Sequence, residues 1–258
     1  MVCLLSAVLS IAMFLAPCEA RQIPASNSAL PPGTILPVRL DTSLSSGKSR
    51  AGDIVKGHLM QAVPLPGERK ISRGTEVLGK VIAVSIWAGG SELSLQFDAL
   101  KIHQVRLPTV SDLRAIAGFA EVQAAHLPTM SSGEGEVYDW LPTIQIGGEA
   151  VYGIGGTVTR WNNPSEVVGR ETPDGLLGQV NTREGTECRG SLYGNTAPQA
   201  FWVFSSDACG VYGLANVRIA HSGRSDPLGL IVLRSSHGKL KLPSGTGLLL
   251  RVEKGSQD

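Results

Sequence analysis

The sequence is short of the groups that most chemistry uses: four cysteines, five histidines, 17% charged residues and 5% aromatics in 258 residues. The spacing of these few excludes more than their number does. No GxSxG, HExxH, GxGxxG, paired-cysteine motif or EF-hand loop occurs, so the common signatures of hydrolase, zinc, dinucleotide and calcium sites are missing. Gly47-Lys48-Ser49 lacks the leading Gly of a phosphate-binding loop and reads as a turn. His58, His103, His126, His221 and His237 are scattered without ligand spacing. His221 with Asp226, in His-Ser-Gly-Arg-Ser-Asp-Pro, is the one cluster that could host acid–base work, and a polar turn is the stronger reading. The expectation is no catalytic residue, no metal and no cofactor: a protein that is not an enzyme.

An excess of either charge is also lacking. The chain has 23 basic and 22 acidic residues, a balance that offers no field for nucleic acid or an anionic membrane. Long apolar runs are absent as well. Val2 to Ala16 is apolar apart from Ser6 and Ser10, too short for the roughly 30 Å core of a bilayer but suited to the apolar stretch of a signal peptide. Small residues at Cys18 and Ala20 predict cleavage after Ala20, leaving Arg21 first and no transmembrane helix in the mature chain. No Lys or Arg precedes the run, so its flank carries only the terminal amine or the start lies upstream. An uncleaved anchor is one alternative. Leu15-Ala16-Pro17-Cys18 resembles a lipobox, and lipidation of Cys18 is another.

Cleavage removes Cys3 and Cys18 and leaves Cys188 and Cys209. In an exported chain two lone thiols predict one disulfide rather than a metal site, because zinc wants three or four ligands. The expected location is the periplasm or the exterior.

What is abundant points to β structure. Gly stands at 31 and Pro at 15, among Val, Ile and Leu in short runs, a balance that favours many strands separated by turns. Gln22 to Ala29 reads as a linker. Leu93-Ser94-Leu95-Gln96-Phe97-Asp98-Ala99 alternates strictly, as a strand with one buried face does. Further strands are expected at Ile35–Leu40, Val55–Val63, Val77–Ile86, Thr143–Ile146, Ala150–Tyr152, Ala200–Phe204, Val217–Ala220, Leu230–Leu233 and Leu248–Val252, with long loops from Arg160 to Gly194. Ser111 could cap a helix whose apolar residues Leu113, Ile116, Ala117, Ala120, Ala124 and Leu127 recur at three and four. The fold expected is mainly β, with two barrel- or sandwich-like modules joined by one short helix: signal peptide 1–20, linker 21–29, barrel-like module 30–110, helical connector 111–130, and a second module 131–258 holding the disulfide. Nine of the twelve aromatics beyond the signal segment lie after residue 130.

The chain also echoes itself. Leu30-Pro31-Pro32-Gly33-Thr34-Ile35-Leu36-Pro37-Val38-Arg39-Leu40 matches Leu242 to Val252 at six of eleven positions, and Ile71 to Val81 is a weaker third copy. Each reads as a Gly-centred turn feeding a strand. With Leu44-Ser45-Ser46 and the alternating strand at 93–99, residues 30–107 resemble the C-terminal β-barrel domain of type IV secretion and conjugation channel subunits. In that family such motifs open barrel strands, and the domain assembles as a ring in the envelope. The resemblance implies a structural or interaction module whose partners are envelope proteins or a cell-wall component. The chain departs from the family in having no cytoplasmic segment, transmembrane anchor or Pro-rich stalk. Trp140, Trp161, Tyr193, Trp202 and Tyr212 suggest an alternative, a glycan- or ligand-binding face in the second half. For Phe201–Phe204, core packing is the default.

Overall fold

The computed structural model describes residues 30–125, 141–152, 156–180, 188, 197–220 and 227–254. The signal segment, linker, Trp140, Tyr193, His126, His221 and Asp226 lie outside them. The fold is mainly β with one short helix, as expected. A closed barrel is built from β1 (Ile35–Leu40), β3 (Ile54–Leu59), β6 (Glu76–Trp87), β7 (Gly90–Ile102), β8 (Val105–Ala117) and β19 (Gly247–Val252). Neighbours around it are β1, β3, β6, β7, β8 and β19, every pair antiparallel, and β19 closes the ring back onto β1. Closure removes the unpaired edges that an open sheet would expose. Leu36, Val38, Leu40, Val55, Leu59, Val77, Leu93, Leu95, Phe97, Leu248 and Leu250 fill its interior.

The repeated motif explains where the barrel strands begin. Gly33, Gly74 and Gly245 all adopt positive φ, 86°, 82° and 91°, which costs glycine little. The Thr after each Gly turns both its N–H and its Oγ1–H back onto the carbonyl three residues earlier, Pro31, Ser72 or Pro243. The Gly N–H then donates to Val252, Leu59 or Leu40, and that same residue donates back to the carbonyl of Thr34, Thr75 or Thr246. A fourth turn has this bonding with Asp53 where the others have Thr: Gly52 has φ 91° and donates to Val81, which donates to Asp53. The Gly-Thr pattern could not find it. The first and last copies lie side by side, since Ile35–Arg39 pair antiparallel with Arg251–Gly247. The two ends of the chain thus share one barrel, so the last strand of the expected second module, 131–258, belongs to the wall of the first.

The expected helix from Ser111 is corrected. Residues up to Ala117 belong to β8, and the helix α1 is only Phe119–Ala124. A β-bulge produced the false period. Leu249 faces Ala115 while Leu250 faces Leu113, so Arg114 is an extra residue in the strand. Leu113 and Ile116 therefore both reach the barrel interior at a spacing of three, while Ala115 and Ala117 join a second core.

That second core lies beneath a six-stranded sheet in the order β14 (Gln199–Trp202), β13 (Gly175–Gly178), β12 (Asn163–Thr172), β11 (Thr157–Arg160), β10 (Gly148–Tyr152), β9 (Leu141–Gln145). Its edges meet where Ile146 bridges Phe204. β12 and β13 occupy part of the expected 160–194 loop, with Thr172-Pro173-Asp174-Gly175 as the turn between them. The two layers share Ile35, Met60, Ala115 and Leu249 from the barrel and Ile146, Val158, Leu176, Phe201 and Phe204 from the sheet. Buried Gln61 stitches them: its amide donates to Leu176 O and Thr172 Oγ1 at 3.0 Å and accepts from Trp202 N at 2.6 Å. Short strands β15 (Gly210–Tyr212), β16 (Val217–Ile219) and β17 (Ile231–Ser235) extend the barrel sheet where β7 and β8 outgrow each other.

Candidate functional site

The disulfide expected from the cysteine count is present, Cys188 to Cys209. Tyr212 holds it: its hydroxyl donates to Cys209 O at 2.9 Å and accepts from Cys209 N at 3.0 Å. Cys188 Sγ, which as a disulfide sulfur has no proton to donate, lies 3.3 Å from the carbonyl of Arg114. The bond spans a separation of 21 residues, for which the chain-entropy estimate is about 3 kcal/mol. Replacing both cysteines by serine is expected to lower stability by about that much. Urea titration of the variant beside the parent chain checks it, with a steeper slope expected because the unfolded chain without the bridge is more expanded.

Of the aromatics singled out from the sequence, the three among the described residues, Trp161, Trp202 and Tyr212, lie in different settings. Trp202 is buried, its ring edge-on to Phe204 at 6.4 Å, and so belongs to the core. Tyr212 is occupied with the disulfide. Trp161, in the turn between β11 and β12, is 50% exposed.

A cluster that sequence reasoning missed lies where the bulge of β8 meets the second sheet. Arg114 on β8 and Arg251 on β19 are both almost wholly buried. Arg251 is tied to Glu253, Nε to Oε1 at 2.7 Å, and lies opposite Asp112, whose carboxylate accepts from Gly229 N at 2.8 Å. Arg160 of β11 grips Glu166 with two bonds, 2.9 and 2.8 Å, and pairs through Nη1 with Asp207. These bonds to Glu166 and Asp207 raise the Arg160 pKa beyond its ordinary value. Arg114 goes the other way: burial, then the nearby charge of Arg251, push it down to about 10, against the opposing pull of Asp207 and Tyr212. Asp207 thus serves two guanidiniums from two layers. A signal was there to be read, since Asp112, Arg114 and Arg251 are charges inside otherwise apolar strands. Burial makes this cluster a joint between layers more than a place for a ligand.

The chain matches no family model, no curated protein and no solved structure. Function therefore has to be argued from the surface itself.

Two surface features stand out. On the outer wall of β3, β6 and β7 a groove of about 370 Å³ is lined by the apolar Ile54 and Leu78 together with Lys56, Lys80, Lys101, Arg106, Glu76 and Asp98. Glu76 pairs with Lys56 at 3.5 Å and Lys101 at 3.3 Å, and Asp98 with Arg106 at 2.7 Å. Four cations against two carboxylates leave the lining positive. Above it, the β6–β7 hairpin exposes Ile86 and Trp87. Among the described residues no group of three or more His, Cys, Asp or Glu is placed to hold a metal, and no helix is long and apolar enough to cross a membrane.

Proposed function

We propose that this is a non-enzymatic, exported interaction protein of the cell envelope, with a barrel module similar in role to those of type IV secretion and conjugation channel subunits. The observation that carries the reading is the groove on the barrel's outer wall, lined by apolar Ile54 and Leu78 among side chains of net positive charge. Such a surface suits a partner segment that is apolar and acidic, because the charges steer encounter while the apolar side chains supply contact area. The Gly-Thr strand openings, on which the resemblance rests, support the family part of the proposal. The disulfide supports export, since such bonds persist in oxidising compartments. Removal of residues 1–20 completes it.

Cell fractionation with crosslinking tests this. The expected product is a periplasmic chain whose intact mass begins at Arg21, crosslinked to an envelope component, with capture reduced when Lys80 and Lys101 are both changed to Glu. A diacylglycerol adduct on Cys18 would move the anchor to a lipid. A cytosolic chain of full mass with no retained partner would refute the proposal.

A further inference from the structure

The barrel is closed along most of its height but not at the top of β6. Pairing with β3 runs from Glu76 to Lys80, and Gly52 and Asp53 add a last pair of bonds to Val81. Beyond that point β6 pairs with β7 alone, while β7 has β17 on its other side through Ser91–Leu95. Among the described residues one edge is open, from Ala83 to Trp87, past a bulge at Ile82. Trp87 and Gly90 close the hairpin turn, so by antiparallel alternation Val84 and Ile86 aim their backbone N–H and C=O outward.

Natural sheets block such edges with lysine, proline or inward charge. Here Val81 to Ser91, Val-Ile-Ala-Val-Ser-Ile-Trp-Ala-Gly-Gly-Ser, contains none of these. Ile86 is 55% and Trp87 49% exposed. Past the bulge, Val84 is flanked by Ala83 and Ser85, two small residues, with Ile86 and Trp87 beyond them.

We infer that this edge pairs with itself, joining two copies of the chain across a two-fold axis at Val84. An isologous contact needs a surface complementary to its own rotated copy, and this one is. Val84 lies opposite Val84 of the second copy and Ala83 opposite its Ser85, two small side chains that keep one face flat, while Ile82, the extra residue of the bulge between Val81 and Ala83, stands outside the register. No charge meets a like charge. The tip carrying Trp87 comes to rest by the turn ahead of β3, beside Ile54, which is 64% exposed. Three exposed apolar residues thereby share one contact. The interface is small, so a weak dimer with a dissociation constant of about micromolar is expected. The pairing extends the sheet and shares Ile54 with the partner groove proposed above, but it rests on the open edge and not on that groove.

Sedimentation equilibrium of the full chain tests this, with three variants. Ile86→Lys places a charge on an exposed edge and Val84→Pro removes an outward N–H; each is expected to weaken the dimer about tenfold or more while thermal unfolding of the monomer stays cooperative. Val84→Cys brings two thiols to a hydrogen-bonded cross-strand pair, a separation a disulfide can bridge. Mild oxidation should then link two chains much faster than it links Ala88→Cys at the hairpin tip. A wild-type chain that stays monomeric at high micromolar concentration overturns the inference. So does a dimer untouched by Ile86→Lys and Val84→Pro, or a Val84→Cys chain that crosslinks no faster than Ala88→Cys.

Discussion

A chain shortened by removal of Gly247 to Asp258 is expected to lose its cooperative unfolding transition altogether. The removed strand lies between β1 and β8, and Leu248, Leu249, Leu250 and Val252 are all buried. Truncating one buried leucine to alanine costs about 2–5 kcal/mol, and a whole domain has about 5–15 kcal/mol of stability. Losing four such side chains, and every backbone bond they anchor, exceeds that reserve. The same argument applies to the fragment 30–117. It contains five of the six barrel strands but leaves β1 and β8 as facing open edges with an exposed interior. Circular dichroism and proton NMR on both fragments check this: broad, collapsed spectra are expected, and dispersed amide signals from 30–117 alone would disprove it. Leu250→Ala in the full chain, by contrast, should fold and lose only about 2–5 kcal/mol.

Asp207→Ala is expected to destabilise the protein by about 3–5 kcal/mol, the usual result of removing one member of a buried ion pair. Asp207 and Arg160 are nearly equally enclosed, with about a tenth of each side chain exposed. Without Asp207, Arg160 keeps Glu166, but Arg114 loses the carboxylate that offsets both its burial and the repulsion of Arg251. Arg114→Met should behave differently. Its charged form is already disfavoured by the fold, so an apolar side chain of similar length is expected to be neutral or mildly stabilising. The pH dependence carries the same sign. With a folded pKa near 10, below the 12.5 of an ordinary guanidinium, the unfolded chain binds more proton between those values, and this group's contribution to stability rises with pH across that window. Chemical denaturation of Asp207→Ala, Arg114→Met and the double variant checks the coupling. A double variant as unstable as Asp207→Ala alone would show that Arg114 is not what Asp207 compensates.

Much of the barrel was legible because its strands obey local rules. A period of two marks Leu93 to Ala99, and a positive-φ glycine before Thr marks the entrances to β1, β6 and β19. Legibility failed where tertiary contacts reset the period. At β8 the bulge at Arg114 turned an alternating strand into a pattern of three, and burial on both faces removed the polar side that alternation needs. β12 was read as loop because its residues are largely exposed and their partners are set by neighbouring strands, not by their own composition. The fourth strand-opening turn escaped because Asp53 stands where the others have Thr, and its side chain bonds the opposite way: Oδ2 accepts from Arg50 N at 2.8 Å, where each Thr hydroxyl donates to a carbonyl.

The candidate surfaces divide the same way. The small residues Ala83 and Ser85 on either side of Val84 are visible in sequence, but only the end of the pairing with β3 shows that they lie on an open edge. Cys188 and Cys209 were recognisable as a pair because the other two cysteines, Cys3 and Cys18, fall in the expected signal segment. By itself, then, the sequence determined the β class, the disulfide and the strand entrances, all of which rest on short-range geometry or simple counting. The tertiary structure alone decided that the last strand closes the first barrel, that Arg114, Asp207 and Arg160 meet, and which edge stays open. Those depend on contacts between residues far apart in the chain, and no local pattern encodes so distant a partner.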